Sequence, residues 1–211
     1  MYGLLRVGAV TPKISIADCD FNKQEILSVI KNSIKDKFDV LVFPELCITG
    51  YTCGDLFFQS SLLKSAENSL SNILDETRNL DTFIVLGMPV KNNNQLFNCA
   101  VAIHKGIIKG VVVKTYLPNG LEFYEDRWFS PAKDLLENEI TLCGQKVPMG
   151  NDLLFDFINL PNTKIGIEIC QDLWSTIPPS SYMAICGATV ILNLSASNEY
   201  VTKSDYRTDL I

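Results

Sequence analysis

Several segments of this chain are apolar almost from end to end, and a strand without a polar face has to be covered on both sides. Val40–Phe43, Thr82–Met88 and Thr189–Leu194 are of this kind. They are interleaved with stretches of helical spacing and with a hairpin, Asn98–Ile103 and Ile107–Val113 around His104-Lys105-Gly106. Such a pattern calls for an α/β layered fold in which helices cover the sheets. Further strands are expected at Leu4–Val10, Ile140–Cys143, Leu153–Phe157 and the β-branched run Lys164–Ile169. A first helix capped by Asp18 or Asp20 is expected to bury Phe21, Leu27, Ile30 and Ile34. Others run to about Leu80 and, behind Pro178-Pro179, from Ser180 to Cys186.

A chain of 211 residues, 47% hydrophobic and 20% charged, is long enough for one good core, and one domain over 1–211 is expected. Its net charge of −6 and pI near 4.8 disfavour partners that attract basic surfaces, nucleic acid and anionic membrane among them. The N-terminus lacks a basic segment, Pro12 interrupts its apolar stretch, and nowhere do 18 apolar residues follow one another. A cytoplasmic protein is therefore expected. The seven cysteines are odd in number and form no CxxC pair, which indicates neither a disulfide framework nor a zinc site.

The chemistry gathers at strand ends. Lys164–Ile169 stops on Cys170, Val40–Phe43 on Pro44-Glu45, and the second hairpin strand on Lys114. A cysteine at a strand-to-turn break is a candidate nucleophile, and it needs a base and a cation. The only histidine, His104, falls at the hairpin turn, so a Cys–His hydrolase is not indicated. Glu45, shielded from water, can take and return a proton. Lys114 can lower the thiol pKa and hold an oxyanion together with backbone N–H groups after the cysteine. The loop after Lys114, TYLPNGLEFYEDRWFSPA, is too aromatic for a linker and too broken for regular structure, so a packed functional loop is expected. A second site loop is expected at Leu194–Asn198. Only about a dozen residues follow it, which hints at a fragment, marginally stable or self-associating when made alone.

Phe43-Pro44-Glu45-Leu46 with Thr49-Gly50-Tyr51, Lys114-Thr115-Tyr116-Leu117-Pro118 with Glu122-Phe123-Tyr124-Glu125, and Glu168-Ile169-Cys170-Gln171-Asp172-Leu173-Trp174 together resemble the nitrilase (carbon–nitrogen hydrolase) superfamily. The LPN…EFYE loop, the cysteine strand and Asn193–Asn198 look most like the glutaminase domains of glutamine-dependent NAD synthetases. The resemblance implies a four-layer αββα sandwich, C-terminally incomplete. It implies Glu45 as base, Lys114 as cation, Cys170 as nucleophile and Glu122 as the second glutamate. Lys114 and the Gln171 backbone N–H form the oxyanion site, and Tyr51, Gly120, Gln171, Ser197 and Lys203 contact substrate, with Lys203 facing an α-carboxylate.

The activity so implied is hydrolysis of the glutamine side-chain amide, with ammonia passed to a synthetase domain that uses ATP and magnesium to amidate deamido-NAD. That domain's pyrophosphate loop is absent from these residues, so no cofactor or metal is expected in this chain. The implied partners are glutamine, the synthetase domain and further copies of the chain. Two other readings stay open: a free-standing amidase acting on another small carboxamide, and a non-catalytic assembly module. Two positions depart from the family, which usually has tyrosine where Gly120 stands and glutamate where Gln171 stands. Both changes fall on the substrate side, where they imply a weakened or altered glutamine pocket.

Overall fold

The computed structural model describes residues 3–158 and 160–211. Two sheets carry the fold. The larger has seven strands in the order β1-β2-β3-β4-β5-β7-β6, drawn from β1 (Val7–Ala9), β2 (Val40–Val42), β3 (Phe83–Asn92), β4 (Gln95–His104), β5 (Ile107–Val113), β6 (Glu139–Leu142) and β7 (Gln145–Gly150). The smaller is β10-β9-β8, from β8 (Leu154–Asp156), β9 (Lys164–Ile169) and β10 (Val190–Leu194). Val40, Val85, Ala100, Ala102 and Val112 on one side meet Ile165, Ile167, Ile169, Leu192 and Leu194 on the other, so the two sheets pack face to face. Helices α1 (Cys19–Ser33) and α2 (Ser60–Glu76) cover the outer face of the large sheet. On the small sheet lies α4 (Pro179–Ile185), against Gly166, where an added Cβ would come within 2.7 Å of the Met183 sulfur. The layers are helix, sheet, sheet, helix. Two more helices, α3 (Gln171–Trp174) and α5 (Lys203–Leu210), flank the strand ends of the small sheet. No helix among the described residues is long and apolar enough to cross a membrane.

Two expectations shift. Asp18 caps α1 by accepting the Phe21 N–H at 3.0 Å, but the buried stripe is Cys19, Asn22, Ile26 and Ile30, and Phe21 and Ile34 are exposed. The helix turns Asn22 inward because its side-chain amide is satisfied there, donating to the Ser15 and Ile48 carbonyls and accepting the Ser15 N–H. Hydrophobic spacing alone misplaces that stripe. Strand β3 also runs past Pro89 to Asn92 and forms a hairpin with β4, a pairing that the sequence pattern does not suggest. Its neighbour β2 ends where Val42 faces Val85. Beyond that point β3 is an edge on this side, and the missing N–H of Pro89 removes no ladder bond.

Candidate active site

Strands β2, β3 and β5 share one direction and β4 runs against them, so the ends of β2 and β5 and the start of β4 lie on one side. Glu45, Lys114 and Asn98 stand there. The turn carrying Glu45 crosses directly over β3 at Gly87, where any Cβ would lie 2.3 Å from the Leu46 nitrogen and 2.4 Å from the Pro44 oxygen. Only glycine lets that backbone approach. The turn is pinned by the Ile48 N–H donating to the Gly87 carbonyl at 3.2 Å.

Lys114 is completely buried, and its Nζ donates to Glu45 Oε1 at 2.6 Å and to Glu125 Oε1 at 2.7 Å. The Asn98 amide donates to both carboxylates, at 2.8 Å and 3.3 Å. Burial alone would pull the ammonium down, and the two carboxylates more than offset this and hold it above the usual lysine range. Burial and then the Glu45 charge push the Glu125 carboxyl up, against the pull of Lys114. The cluster is a buried cation between two buried acids.

Cys170 comes from the other sheet, in a backbone conformation (φ 48°, ψ −99°) that side chains seldom adopt and that costs about 1–3 kcal/mol. Its own N–H bonds the Leu194 carbonyl at 2.8 Å, and α3 begins at the next residue. The Asp172 carboxylate holds this elbow: it accepts the Ile169 N–H at 3.0 Å and, across from β5, the Thr115 and Tyr116 N–H groups at 3.1 and 2.8 Å. The next loop links the cysteine to the acid cluster, with Ser195 Oγ 3.4 Å from the Cys170 sulfur and the Ala196 N–H on Glu45 Oε2 at 3.0 Å. Burial and the Glu45 charge push the Cys170 thiol up to about 12, against the Lys114 charge and the Ser195 hydrogen bond. At neutral pH the resting sulfur therefore keeps its proton.

Above the sulfur opens a cavity of about 560 Å³, walled by Phe123, Trp174, Tyr200 and Tyr206 and reached by Gly120, Gln171, Ser197 and Lys203. Lys203 Nζ bonds Ser197 Oγ at 2.6 Å and also meets Asn198 Oδ1. It sits 4.8 Å from the Tyr200 ring centre and 5.5 Å from that of Trp174, a placement in which aromatic faces support a cation. Among the described residues it is the one cationic side chain on that wall.

Two expected residues fall elsewhere. Glu122 is exposed, and Glu125 is the second glutamate against Lys114. The register of the loop decides between them. Arg127 forks onto Asp55 at 2.7 and 2.8 Å, and Trp128 and Phe129 pack on Phe57, which turns Glu125 inward and leaves Glu122 in solvent. Tyr51, expected on the substrate, donates its hydroxyl to Glu125 Oε1 at 2.7 Å and lies outside the cavity wall. His104 is remote, half-buried at the hairpin turn near Asp81. Sequence reading also missed Asn98, Asp172 and Ser195. The signals available were a polar side chain inside an apolar strand, an acid two residues after the cysteine, and a serine one residue past a strand end.

Paired acids and a buried cation meet a cysteine at the strand ends of an αββα sandwich. Residues 6–210 match the carbon-nitrogen hydrolase family, and the chain belongs to it. Among its relatives, the chain is 37% identical over 206 residues to the glutamine-dependent NAD(+) synthetase of Mycobacterium tuberculosis, covering 98% of this chain and 30% of that one. It is 30% identical over 193 residues to the enzyme of the same name from Aquifex aeolicus, covering 92% and 30%. The crystal structure of a glutamine-dependent NAD(+) synthetase from Cytophaga hutchinsonii superposes with a TM-score of 0.84 at 31% identity, over 98% of this chain and 33% of that one. An amidase from Nesterenkonia sp. shares the fold, with a TM-score of 0.71 at 16% identity over 95% and 68%. The chain thus spans about 30% of the length of the curated relatives it matches.

Proposed function

We propose that this chain hydrolyses the side-chain amide of glutamine and supplies the ammonia to an ATP- and magnesium-dependent synthetase that amidates deamido-NAD. The observation that carries the reading is the buried Glu45–Lys114–Glu125 cluster joined through Ser195-Ala196 to Cys170 at the floor of a cavity with one cation on its wall. With the thiol at about 12, attack on the amide carbon passes the sulfur proton to Glu45 as the C–S bond forms. Lys114 has three donors. Glu45 and Glu125 hold two, which leaves one for the oxyanion beside the Gln171 N–H. Glu45 then gives its proton to the departing nitrogen, the C–N bond breaks and ammonia leaves a thioester. Water, losing a proton to Glu45, adds to the thioester carbon, and the C–S bond breaks as the proton returns to sulfur, which releases glutamate. Lys203, braced between aromatic rings, is the partner for the substrate carboxylate.

Cys170→Ala is expected to lower glutamine-derived ammonia at least about a thousandfold, while an intact protein carrying a synthetase still uses free ammonium. An alanine variant that still hydrolyses glutamine would overturn the reading. A second expectation concerns the substrate wall. An added Cβ at Gly120 meets nothing within 4 Å, so the backbone there accepts a side chain, and Gly120→Tyr is the substitution to make. Combined with Gln171→Glu, it adds an aromatic wall and a charge for the α-ammonium group, and it should lower KM for glutamine about tenfold or more with little change in kcat. A KM that stays put or rises in steady-state assays favours a different carboxamide as the native substrate.

A further inference from the structure

We propose that Ser195 is a catalytic residue of this site, its hydroxyl donating to the Cys170 sulfur and stabilising the thiolate through each bond-making and bond-breaking step. The inference rests on the reading of Cys170 as the nucleophile. Strands β9 and β10 are parallel, with Ile169 beside Leu194, so the next residue of each strand, Cys170 and Ser195, comes to the same level. Ser195 Oγ lies 3.4 Å from the sulfur. On its other side the hydroxyl oxygen accepts the Ser197 N–H at 3.3 Å, which occupies a lone pair and leaves the O–H proton to point at the sulfur. While sulfur holds its own proton, either partner can donate. Once that proton has gone to Glu45, only Ser195 can.

The need for such a donor follows from the rest of the cluster. Burial and the Glu45 charge oppose the thiolate, and Lys114, whose charge favours it, already shares its donors between two carboxylates. The residue next to Ser195 fixes the base, through the Ala196 N–H on Glu45 Oε2. Two consecutive residues of one loop therefore hold the proton donor and the proton acceptor of the same step. Neither contact depends on a bound substrate.

The test is alkylation of Cys170 by iodoacetamide, followed by peptide mass analysis between pH 7 and 9, with Cys170→Ala as the blank. In that range the rate tracks the thiolate fraction. Ser195→Ala is expected to slow alkylation about tenfold or more at every pH without changing the slope. It should lower kcat for glutamine by a similar factor, with KM within twofold of wild type. Ser195→Thr keeps the hydroxyl and should recover both rates to within threefold. An alanine variant alkylated within twofold of wild type overturns the proposal, and so does a threonine variant as slow as alanine, since packing and not the hydroxyl would then matter. If alkylation depends on Ser195 but the chain releases no ammonia from glutamine, the glutaminase reading fails and the Ser195 assignment stands.

Discussion

Lys114→Met is expected to cost about 3–5 kcal/mol of stability at neutral pH and to leave no measurable glutamine hydrolysis. Removing one partner of a buried ion pair leaves the other charge uncompensated, a loss of that order. Here two partners are stranded, because Glu45 and Glu125 both direct an oxygen at Nζ and both are almost fully buried. The Glu125 carboxyl is pushed up even with Lys114 present, and without the ammonium the repulsion from Glu45 raises it further. A carboxyl whose folded pKa lies above its unfolded value contributes stability below the unfolded value and loses it as pH rises through the folded one. The deficit of the methionine variant should therefore be small near pH 5 and large at pH 8 in urea melts. Adding Glu125→Gln removes one stranded charge and should restore most of the stability without restoring activity, since the oxyanion donor is still missing. A single variant that melts like wild type at pH 8 would mean that the cluster is not an ion triad.

The three strand-end residues were legible because each is a charged or reactive side chain placed where an apolar run stops, and a run of that kind fixes both the strand and its last residue. Glu125 was not legible in the same way. It and Glu122 lie three residues apart in one irregular loop, and the choice depends on Arg127 finding Asp55, 72 residues earlier, a contact that no local pattern encodes. Asn98 is a polar residue in a strand otherwise buried from Phe97 to Ile103, and what makes it tolerable is the pair of carboxylates facing it. Asn22 misphased the first helix for the same reason. In each case a buried polar side chain is satisfied by a partner far away in sequence, whereas hydrophobic periodicity reports only on near neighbours. The layered fold survived these errors because the apolar strands that define both sheets needed no long-range partner to be recognised.

Asp172 is where these long-range contacts bear most on catalysis, and Asp172→Asn is expected to reduce glutamine hydrolysis at least about a hundredfold. The side chain is almost fully buried and accepts N–H groups from Ile169, Thr115 and Tyr116. Burial pushes its carboxyl up to about 7, and the three amides pull against that because each favours the anion. Oδ1 faces Thr115 and Tyr116, and Oδ2 faces Ile169 and, at 3.4 Å, Thr115 as well. A carboxamide keeps one acceptor oxygen and sets an NH2 group against an N–H at the other position, leaving a buried donor unpaired at a cost of about 1–3 kcal/mol. Either segment that loses its acceptor adjoins a proposed catalytic group: Ile169 immediately precedes Cys170, and Thr115 immediately follows Lys114. The strained backbone of Cys170 then loses its brace, and an error of about 1 Å in the approach of sulfur to the amide carbon is enough for a hundredfold loss. Kinetics should show the fall in kcat with KM for glutamine within about threefold, because the hydrogen bonds of Asp172 go to Ile169, Thr115 and Tyr116 and none goes to Lys203 or Ser197. An asparagine variant that folds and turns over at the wild-type rate would show that the elbow is held by β9 and β10 alone.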